Sequence, residues 1–138
     1  MTKIYVSPSC LTYRQYDSII KAACSYGWQP TWLWSRQVFH ADAFISEEKA
    51  LKAMASLMRA DIFVACLPGT TTSSVEIGAA YFLAQSIFLA AKDPVYFTQT
   101  GPCDAYLSVL PDIKRICCDA EEIPEKLKQE YYPLVTTL

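Results

Sequence analysis

The sequence of 138 residues lacks the features that mark several classes of protein. It has one histidine and no Cys-x-x-Cys pair, so its cysteines do not form a zinc-binding pattern. No apolar stretch reaches about 18 residues, and we therefore expect no membrane partner. The formal net charge of -2 argues against nucleic acid as the main partner. Charged residues make up 19% of the chain against 52% hydrophobic ones, which excludes a disordered protein.

The composition instead predicts one globular domain that spans residues 1–138 and has a core of its own. The first residues, Met1–Val6, have the pattern of a β-strand rather than of a secretory signal, and we expect a cytoplasmic protein. In a reducing compartment, scattered thiols are expected to be small core residues without disulfides. These thiols are Cys10, Cys24, Cys66, Cys103, Cys117 and Cys118. We predict no metal site and no cofactor.

Strand and helix patterns alternate along the whole chain. Strands are predicted at Lys3–Val6, Trp32–Trp34, Ile62–Leu67, Ile87–Ala91 and Ile116–Cys118. Five helices are predicted. The first follows the capping box Thr12-x-x-Gln15 and ends at Gly27, and the second begins after Ser46. The other three are at about Val75 to Gln85, around Asp104–Leu110 and at Pro124–Tyr131. The second helix carries an apolar stripe of Ala50, Leu51, Met54, Leu57 and Met58.

This alternation predicts a three-layer α/β fold of the flavodoxin-like or Rossmann-like type. The uninterrupted apolar run Ile62–Leu67 is typical of a strand that is buried on both faces of a parallel sheet. For five parallel strands we expect the order 2-1-3-4-5. A ligand crevice then lies outside the carboxyl ends of strands 1 and 3.

Two polar loops, Ser7–Thr12 and Pro68–Ser74, should meet at that crevice. Five consecutive hydroxyl residues, Thr70 to Ser74, lead into the start of a helix. The free backbone N–H groups and the dipole of a helix N-terminus favour an anion or sugar oxygens. The hydroxyl run therefore predicts a binding surface, although turn and cap chemistry explains the same residues.

Glu76 follows this run and has two interpretations. Ser73-x-x-Glu76 matches a capping box, in which the glutamate only satisfies its own helix end. Alternatively, Glu76 lies at the mouth of the crevice in the first helical turn, where the dipole favours the ionised carboxylate. An ionised carboxylate suits a nucleophile better than a general acid. Gly78 is expected to let this helix pack closely against the sheet.

Two segments carry a resemblance to a known family. The run from Asp61 to Gly69 is an Asp-led apolar strand that ends in a polar loop, and Ser73-Ser-Val-Glu76-Ile-Gly-Ala-Ala follows it. Together they resemble the nucleoside 2-deoxyribosyltransferase-like superfamily, which includes nucleotide N-glycoside hydrolases. The opening strand with Tyr5 is similar to the first strand of that family. The resemblance spans most of the chain.

The resemblance implies a flavodoxin-like sheet, a homodimer or higher homo-oligomer, and a glutamate that attacks the anomeric carbon of a nucleoside sugar. By matching position, Glu76 is the predicted nucleophile, Tyr5 the residue that orients it, and Thr70 a contact to the glycone. The predicted substrate-binding residues are Ser7, Ser9, Thr70, Thr72, Ser73 and Ser74. The implied partner is a small nucleoside or nucleotide.

The sequence departs from the family pattern at two places. The family has glycine within the polar loop, where this chain carries Thr72 and Ser74. Many members also place an aspartate on the preceding helix to assist the leaving base, and the matching position here is Ala53. Glycosidic cleavage normally needs help at both the anomeric carbon and the leaving group. The substitution predicts a different substrate, a better leaving group or an inactive relative.

The sequence leaves two functions open. The first is an N-glycosidase or glycosyl-transfer enzyme that acts on a nucleoside, nucleotide or related cofactor through Glu76. The second is a nucleotide- or sugar-phosphate-binding module without catalysis. Each other candidate has two interpretations. Arg14 is a phosphate ligand or a solvated residue at a helix start, and His40 with Asp42 forms a lid or plain surface. Trp28, Trp32 and Trp34 stack on a base or belong to the core, and Tyr131-Tyr132-Pro133 forms an interface or closes the core.

Overall fold

The computed structural model describes residues 1–40, 44–83, 85–98 and 110–131. Within them, five parallel strands form one sheet in the order β2-β1-β3-β4-β5, which confirms the predicted fold class and strand order. The strands are β1 (Lys3–Val6), β2 (Gln29–Pro30), β3 (Ile62–Leu67), β4 (Ser86–Ala91) and β5 (Ile113–Cys117). The helices are α1 (Tyr13–Ser25), α2 (Glu47–Met58), α3 (Thr71–Phe82) and α4 (Ile123–Glu130).

Alternate residues of the strands face two separate cores, as the pleat of a strand requires. One core joins α1 and α4 to the sheet face that carries Ile4, Val6 and Val64. The other joins α2 and α3 to the opposite face, which carries Tyr5 and Phe63. The sheet is therefore the middle of three layers, and Tyr5 points toward α2 and α3. No helix within the described ranges is both long enough and apolar enough to cross a membrane.

Helix α1 begins and ends where the sequence predicts. The Thr12 side chain accepts a hydrogen bond from the Gln15 backbone N–H, and the Gln15 side chain accepts one from the Thr12 N–H. This reciprocal box satisfies two of the free donors at the helix start. At the other end, Gly27 has a φ of +82°, a conformation that side chains disfavour and that commonly follows a helix.

The second strand is not where the tryptophans predict it. It comprises Gln29 and Pro30 rather than Trp32–Trp34, and it pairs with Lys3 and Ile4 of β1. The backbone N–H of Trp34 donates instead to the hydroxyl oxygen of Tyr16 at 3.0 Å. The aromatic residues thus belong to a segment that has left the sheet edge and packs over α1. Prediction of a strand from aromatic content alone failed because packing against a neighbour determines that preference.

The predicted apolar stripe of α2 is confirmed at Leu57, which is buried, and at Met54, which packs partly against the core. It is wrong at Ala50, Leu51 and Met58, which are exposed. Leu51 and Met58 are 64% and 59% exposed, whereas Ala53 and Leu57 are buried together with Ser56. The Ser56 hydroxyl donates to the Lys52 carbonyl at 2.9 Å, so its burial leaves no donor unsatisfied. The inward face thus combines Leu57 with the small residues Ala53 and Ser56, while Leu51 and Met58 remain exposed.

Further boundaries differ from the predictions. Helix α3 begins at Thr71, four residues before the predicted Val75, and β5 begins at Ile113 rather than Ile116. Three cysteines predicted to be core are exposed, namely Cys10, Cys24 and Cys117; Cys66 and Cys118 are buried as expected. Several predicted features lie outside the described residues: Cys103, the predicted helix Asp104–Leu110 apart from its last residue, and the pair Tyr132-Pro133. Tyr131 belongs to the core on the α1 side of the sheet.

Candidate active site

The side chain of Glu76 lies buried between α3 and β1, with 4% of its surface exposed. Its Oε2 accepts a hydrogen bond from the Tyr5 hydroxyl, and its Oε1 accepts one from the Ser7 hydroxyl at 2.8 Å. Tyr5 and Ser7 are two residues apart, so they project from the same face of the sheet toward α3. The structure therefore brings together three of the residues that the sequence singled out.

Burial and hydrogen bonding act in opposite directions on the carboxyl of Glu76. Burial raises its pKa, while the hydrogen bonds from Tyr5 and Ser7 lower it, and the net shift is upward. The expectation that Glu76 lies in the first helical turn, where the dipole favours the ionised carboxylate, is wrong, because α3 begins at Thr71 and Glu76 lies beyond its first turn. Burial, followed by the negative charge of Glu76, raises the pKa of Tyr5. Tyr5 consequently keeps its proton, which it donates to Glu76.

The start of α3 is capped by residues other than those predicted. Thr70 is the N-cap, and its side chain accepts from the Ser73 backbone N–H. The Ser73 hydroxyl accepts from the Thr70 N–H at 2.8 Å and is itself buried. The predicted box Ser73-x-x-Glu76 is therefore wrong, and so is the interpretation of Glu76 as a capping residue. Glu76 is one turn further along the same buried face.

Gly69 gives this cap the space it needs. A β carbon at Gly69 would lie 2.0 Å from the Ser73 hydroxyl oxygen, which is far inside any real contact. The expected close packing of Gly78 is not found, since a β carbon there would meet no atom within 4 Å. Of the glycines in this region, Gly69 is thus the one whose lack of a side chain serves the candidate site.

The two loops that the sequence places at the crevice do meet. The hydroxyl oxygens of Ser9 and Thr70 lie 3.0 Å apart, within hydrogen-bonding distance across the gap. Together with Thr72 they line a cavity of about 420 Å³ whose opposite wall includes Val38, Phe39 and His40. A hydroxyl both donates and accepts, so these groups at the mouth of the crevice retain capacity to hydrogen-bond the oxygens of a sugar or phosphate.

A second cavity, of about 340 Å³, adjoins the first and reaches Glu76. The two share Ile45 and Thr72. The lining of the second is Tyr5, Trp34, Ile45, Ala50, Ala53, Met54, Thr71, Thr72, Val75 and Glu76. Ala53 and Glu76 thus line one cavity from two helices, which places Ala53 on the crevice side of α2. Thr71 belongs to the predicted hydroxyl run, whereas sequence reasoning missed Met54, which it assigned only to the core, and Val75, which it took as the first residue of α3.

The other candidate residues lie at the margin or elsewhere. Ser73 uses its hydroxyl in the cap, and the Ser74 hydroxyl donates to the Thr70 carbonyl at 3.2 Å. Arg14 and His40 are exposed, and Asp42 lies outside the described residues. Trp28 and Trp34 are buried in the core on the α1 side, and Trp32 packs partly against it.

Cys10 and Cys66 form a pair of thiols beside the crevice. A hydrogen bond with Cys66 lowers the pKa of Cys10 to about 7, and the same contact together with burial raises the pKa of Cys66. Cys10 follows Ser9 in the β1–α1 loop and has a φ of +67°. Over the described residues, no group of three or more histidine, cysteine or acidic side chains is arranged to hold a metal ion.

No protein-family model and no curated protein matches the chain. Solved structures do. A CMP N-glycosidase from Clostridium botulinum has a TM-score of 0.64 at 16% identity, covering 93% of this chain and 99% of its own. A 2-deoxyribosyltransferase from Bacillus psychrosaccharolyticus has a TM-score of 0.53 at 18% identity, covering 89% and 90%.

A de novo designed protein with the Rossmann 2x3 fold also superposes, with a TM-score of 0.56 at 12% identity over 94% of this chain and 90% of its own. At these identities the likeness shows the fold. It is the three-layer α/β fold that the chain shares with the N-glycosidase, the deoxyribosyltransferase and the designed Rossmann protein.

Proposed function

We propose that this protein is an N-glycosidase or glycosyl-transfer enzyme of a nucleoside or nucleotide, with Glu76 as its nucleophile. The observation that carries the proposal is the buried Glu76 carboxylate, held at both oxygens by Tyr5 and Ser7 beside a cavity. A carboxylate fixed by two donors is oriented for attack without reorganisation. Two proteins of similar fold support the same chemistry: one is named a CMP N-glycosidase and the other a 2-deoxyribosyltransferase.

The proposed reaction has two steps. A Glu76 oxygen forms a bond to the anomeric carbon while the carbon–nitrogen bond to the base breaks, and its electron pair leaves with the base. Water, or a second base in a transferase, then attacks the same carbon and releases Glu76. Ser9, Thr70 and Thr72 are the proposed contacts to the sugar or its phosphate, since their hydroxyls line the adjoining cavity.

We also propose that the chain forms a homodimer through α2 and α3. Four large apolar side chains of these helices are exposed, at 64% for Leu51, 59% for Met58, 58% for Val75 and 90% for Phe82. Exposed apolar residues concentrated on two neighbouring helices are typical of an interaction surface. Val75 also lines the cavity at Glu76, so a partner seated here would border the site.

The deciding experiment is a chromatographic screen for release of free base. Wild-type protein is incubated with CMP, deoxyribonucleosides, deoxynucleotides and nicotinamide nucleotides, each also with Glu76→Gln. We expect base release from at least one compound and its loss by about 1000-fold in Glu76→Gln. Glu48→Gln, which removes an exposed carboxylate on α2, is the matched control and should retain activity. Turnover that survives Glu76→Gln contradicts the proposal.

One observation favours a second function, a nucleotide- or sugar-phosphate-binding module. Ala53, which by the sequence resemblance stands where many family members have the acid that assists the leaving base, lines the cavity at Glu76. In that case a nucleotide should raise the melting temperature of the protein in a thermal-shift assay, and the recovered ligand should be chemically unchanged.

A further inference from the structure

The cavity that reaches Glu76 has an apolar wall. This wall is formed by Trp34, Ile45, Ala53, Met54 and Val75, and the remaining lining residues are Tyr5, Ala50, Thr71, Thr72 and Glu76 itself. Glu76 is the only carboxyl group among the described residues of this lining. Hydroxyl groups of threonine do not release a proton near neutral pH, and Tyr5 already donates its own to Glu76.

The acids in this lining bear on which base could leave in the proposed reaction. A neutral base that departs with the electron pair of the glycosidic bond becomes an anion unless a proton reaches it. With Glu76 engaged as the nucleophile, the described lining holds no second acid to supply that proton. A base that is positively charged before cleavage has no such need, because the same electron pair neutralises it.

We propose, resting on the function above, that the substrates are N-glycosides of a cationic aromatic base, that is, pyridinium nucleosides or nucleotides. The step balances without an added acid. The bond from Glu76 Oε to the anomeric carbon forms, the carbon–nitrogen bond breaks, and the pyridinium nitrogen takes the electron pair to give a neutral pyridine. Water then hydrolyses the ester, giving the free sugar or sugar phosphate and one proton.

The charge of Glu76 favours the same substrate class. A buried carboxylate without a cation nearby is costly, and burial accordingly raises its pKa. A pyridinium seated in this cavity would lie beside the buried carboxylate, where Coulomb attraction is stronger than between exposed charges in water. Binding of the cation therefore stabilises the ionised nucleophile at the moment it is needed. A neutral base provides no such stabilisation.

The test compares leaving groups on the wild-type enzyme. Release of nicotinamide from nicotinamide mononucleotide is measured beside release of cytosine from CMP and uracil from UMP, all ribonucleoside 5′-monophosphates. We expect kcat/KM for nicotinamide mononucleotide to exceed the other two by about 100-fold or more, the usual contribution of general-acid help. Equal or faster cleavage of CMP or UMP overturns the cationic preference and leaves the N-glycosidase proposal standing. Cleavage of none of the three, nor of any compound in the broader screen, overturns both.

A variant tests the cause of the preference. Ala53→Asp places a carboxyl on the cavity wall and should raise CMP cleavage by about 100-fold while changing nicotinamide mononucleotide cleavage little. Ala55→Asp is the matched control, since Ala55 is on the same helix but exposed and outside the cavity lining. A folded Ala53→Asp protein that gains nothing on CMP contradicts the role of the missing acid. If Ala53→Asp does not fold, the wild-type comparison decides alone.

Discussion

The hydrogen bond from Tyr5 to Glu76 links the stability of the fold to the proposed chemistry, and Tyr5→Phe tests it. The substitution removes one oxygen and leaves the ring, which stacks on Phe63 with its centroid 6.0 Å away. One carboxylate oxygen of Glu76 then loses its donor inside a site that is 4% exposed. Both stability and activity should therefore fall.

The magnitude follows from the charge on the acceptor. A hydrogen bond to an ionised group contributes about 1.5–3 kcal/mol, against about 1 kcal/mol for a neutral pair. For a chain of 138 residues, 1 kcal/mol corresponds to about 3–4 °C in melting temperature. Tyr5→Phe should therefore lower the melting temperature by about 5–10 °C where Glu76 is ionised. The loss should be smaller at low pH, where Glu76 is protonated.

A double-mutant cycle with Glu76→Gln isolates the interaction. Urea unfolding of wild type, both single variants and the double variant should give a coupling of about 1 kcal/mol or more. Tyr16→Phe is the control: Tyr16 is equally buried, but its hydroxyl accepts from the Trp34 N–H. Tyr16→Phe should lower the free energy of unfolding by about 1 kcal/mol and show no coupling to Glu76. If Tyr5→Phe lowers the free energy of unfolding by the same amount with Glu and with Gln at position 76, the proposed contribution of the Tyr5–Glu76 hydrogen bond is refuted.

Three other predictions concern separate parts of the molecule. Burial raises the pKa of Glu76 above its unfolded value, so its contribution to stability is present below the unfolded pKa and is lost as pH rises through the folded pKa. In urea unfolding, the free energy of unfolding of Glu76→Gln should therefore rise relative to that of wild type between pH 4 and pH 8. A difference that does not change with pH argues against this. Phe82→Lys should convert a dimer of about twice 15.5 kDa to monomer in light scattering, and wild type found only as monomer rules the interface out. Cys10, whose pKa is lowered to about 7, should react with iodoacetamide several-fold faster than the exposed Cys24 at pH 7, and equal rates by peptide mass spectrometry contradict this.

The sheet was predictable because its signal is local and strong. The run Ile62–Leu67 is buried at every position, and only a central parallel strand places both faces of six residues in a core. The strand order followed from alternation of elements together with the handedness of crossovers. Strand β2 was not predictable in the same way, because two residues at a sheet edge carry almost no pattern and the neighbouring tryptophans outweigh them.

The phases of α2 and α3 depend on contacts between distant parts of the chain. On α2 the inward face shares Leu57 with the predicted stripe but replaces Leu51 with Ala53. Periodicity fixes the spacing of a stripe but does not choose between stripes of similar strength. On α3 a run of five hydroxyl residues reads as loop, yet Thr70 caps the helix and the next four form its first turn. Ser and Thr favour caps and turns equally, so the boundary was ambiguous.

The position of Glu76 shows what the correct boundary of α3 would have revealed. With the helix beginning at Thr71, residues Ser73, Glu76, Ile77 and Ala80 fall on one face, and all four are buried. An acid in the middle of an inward stripe is costly unless partners reach it from a neighbouring element. Two such partners, Tyr5 and Ser7, are spaced to face the same side of β1. Here a polar residue interrupts the apolar pattern of one element, and polar residues on a second element lie opposite it. Such matched interruptions indicate a site that function rather than folding maintains.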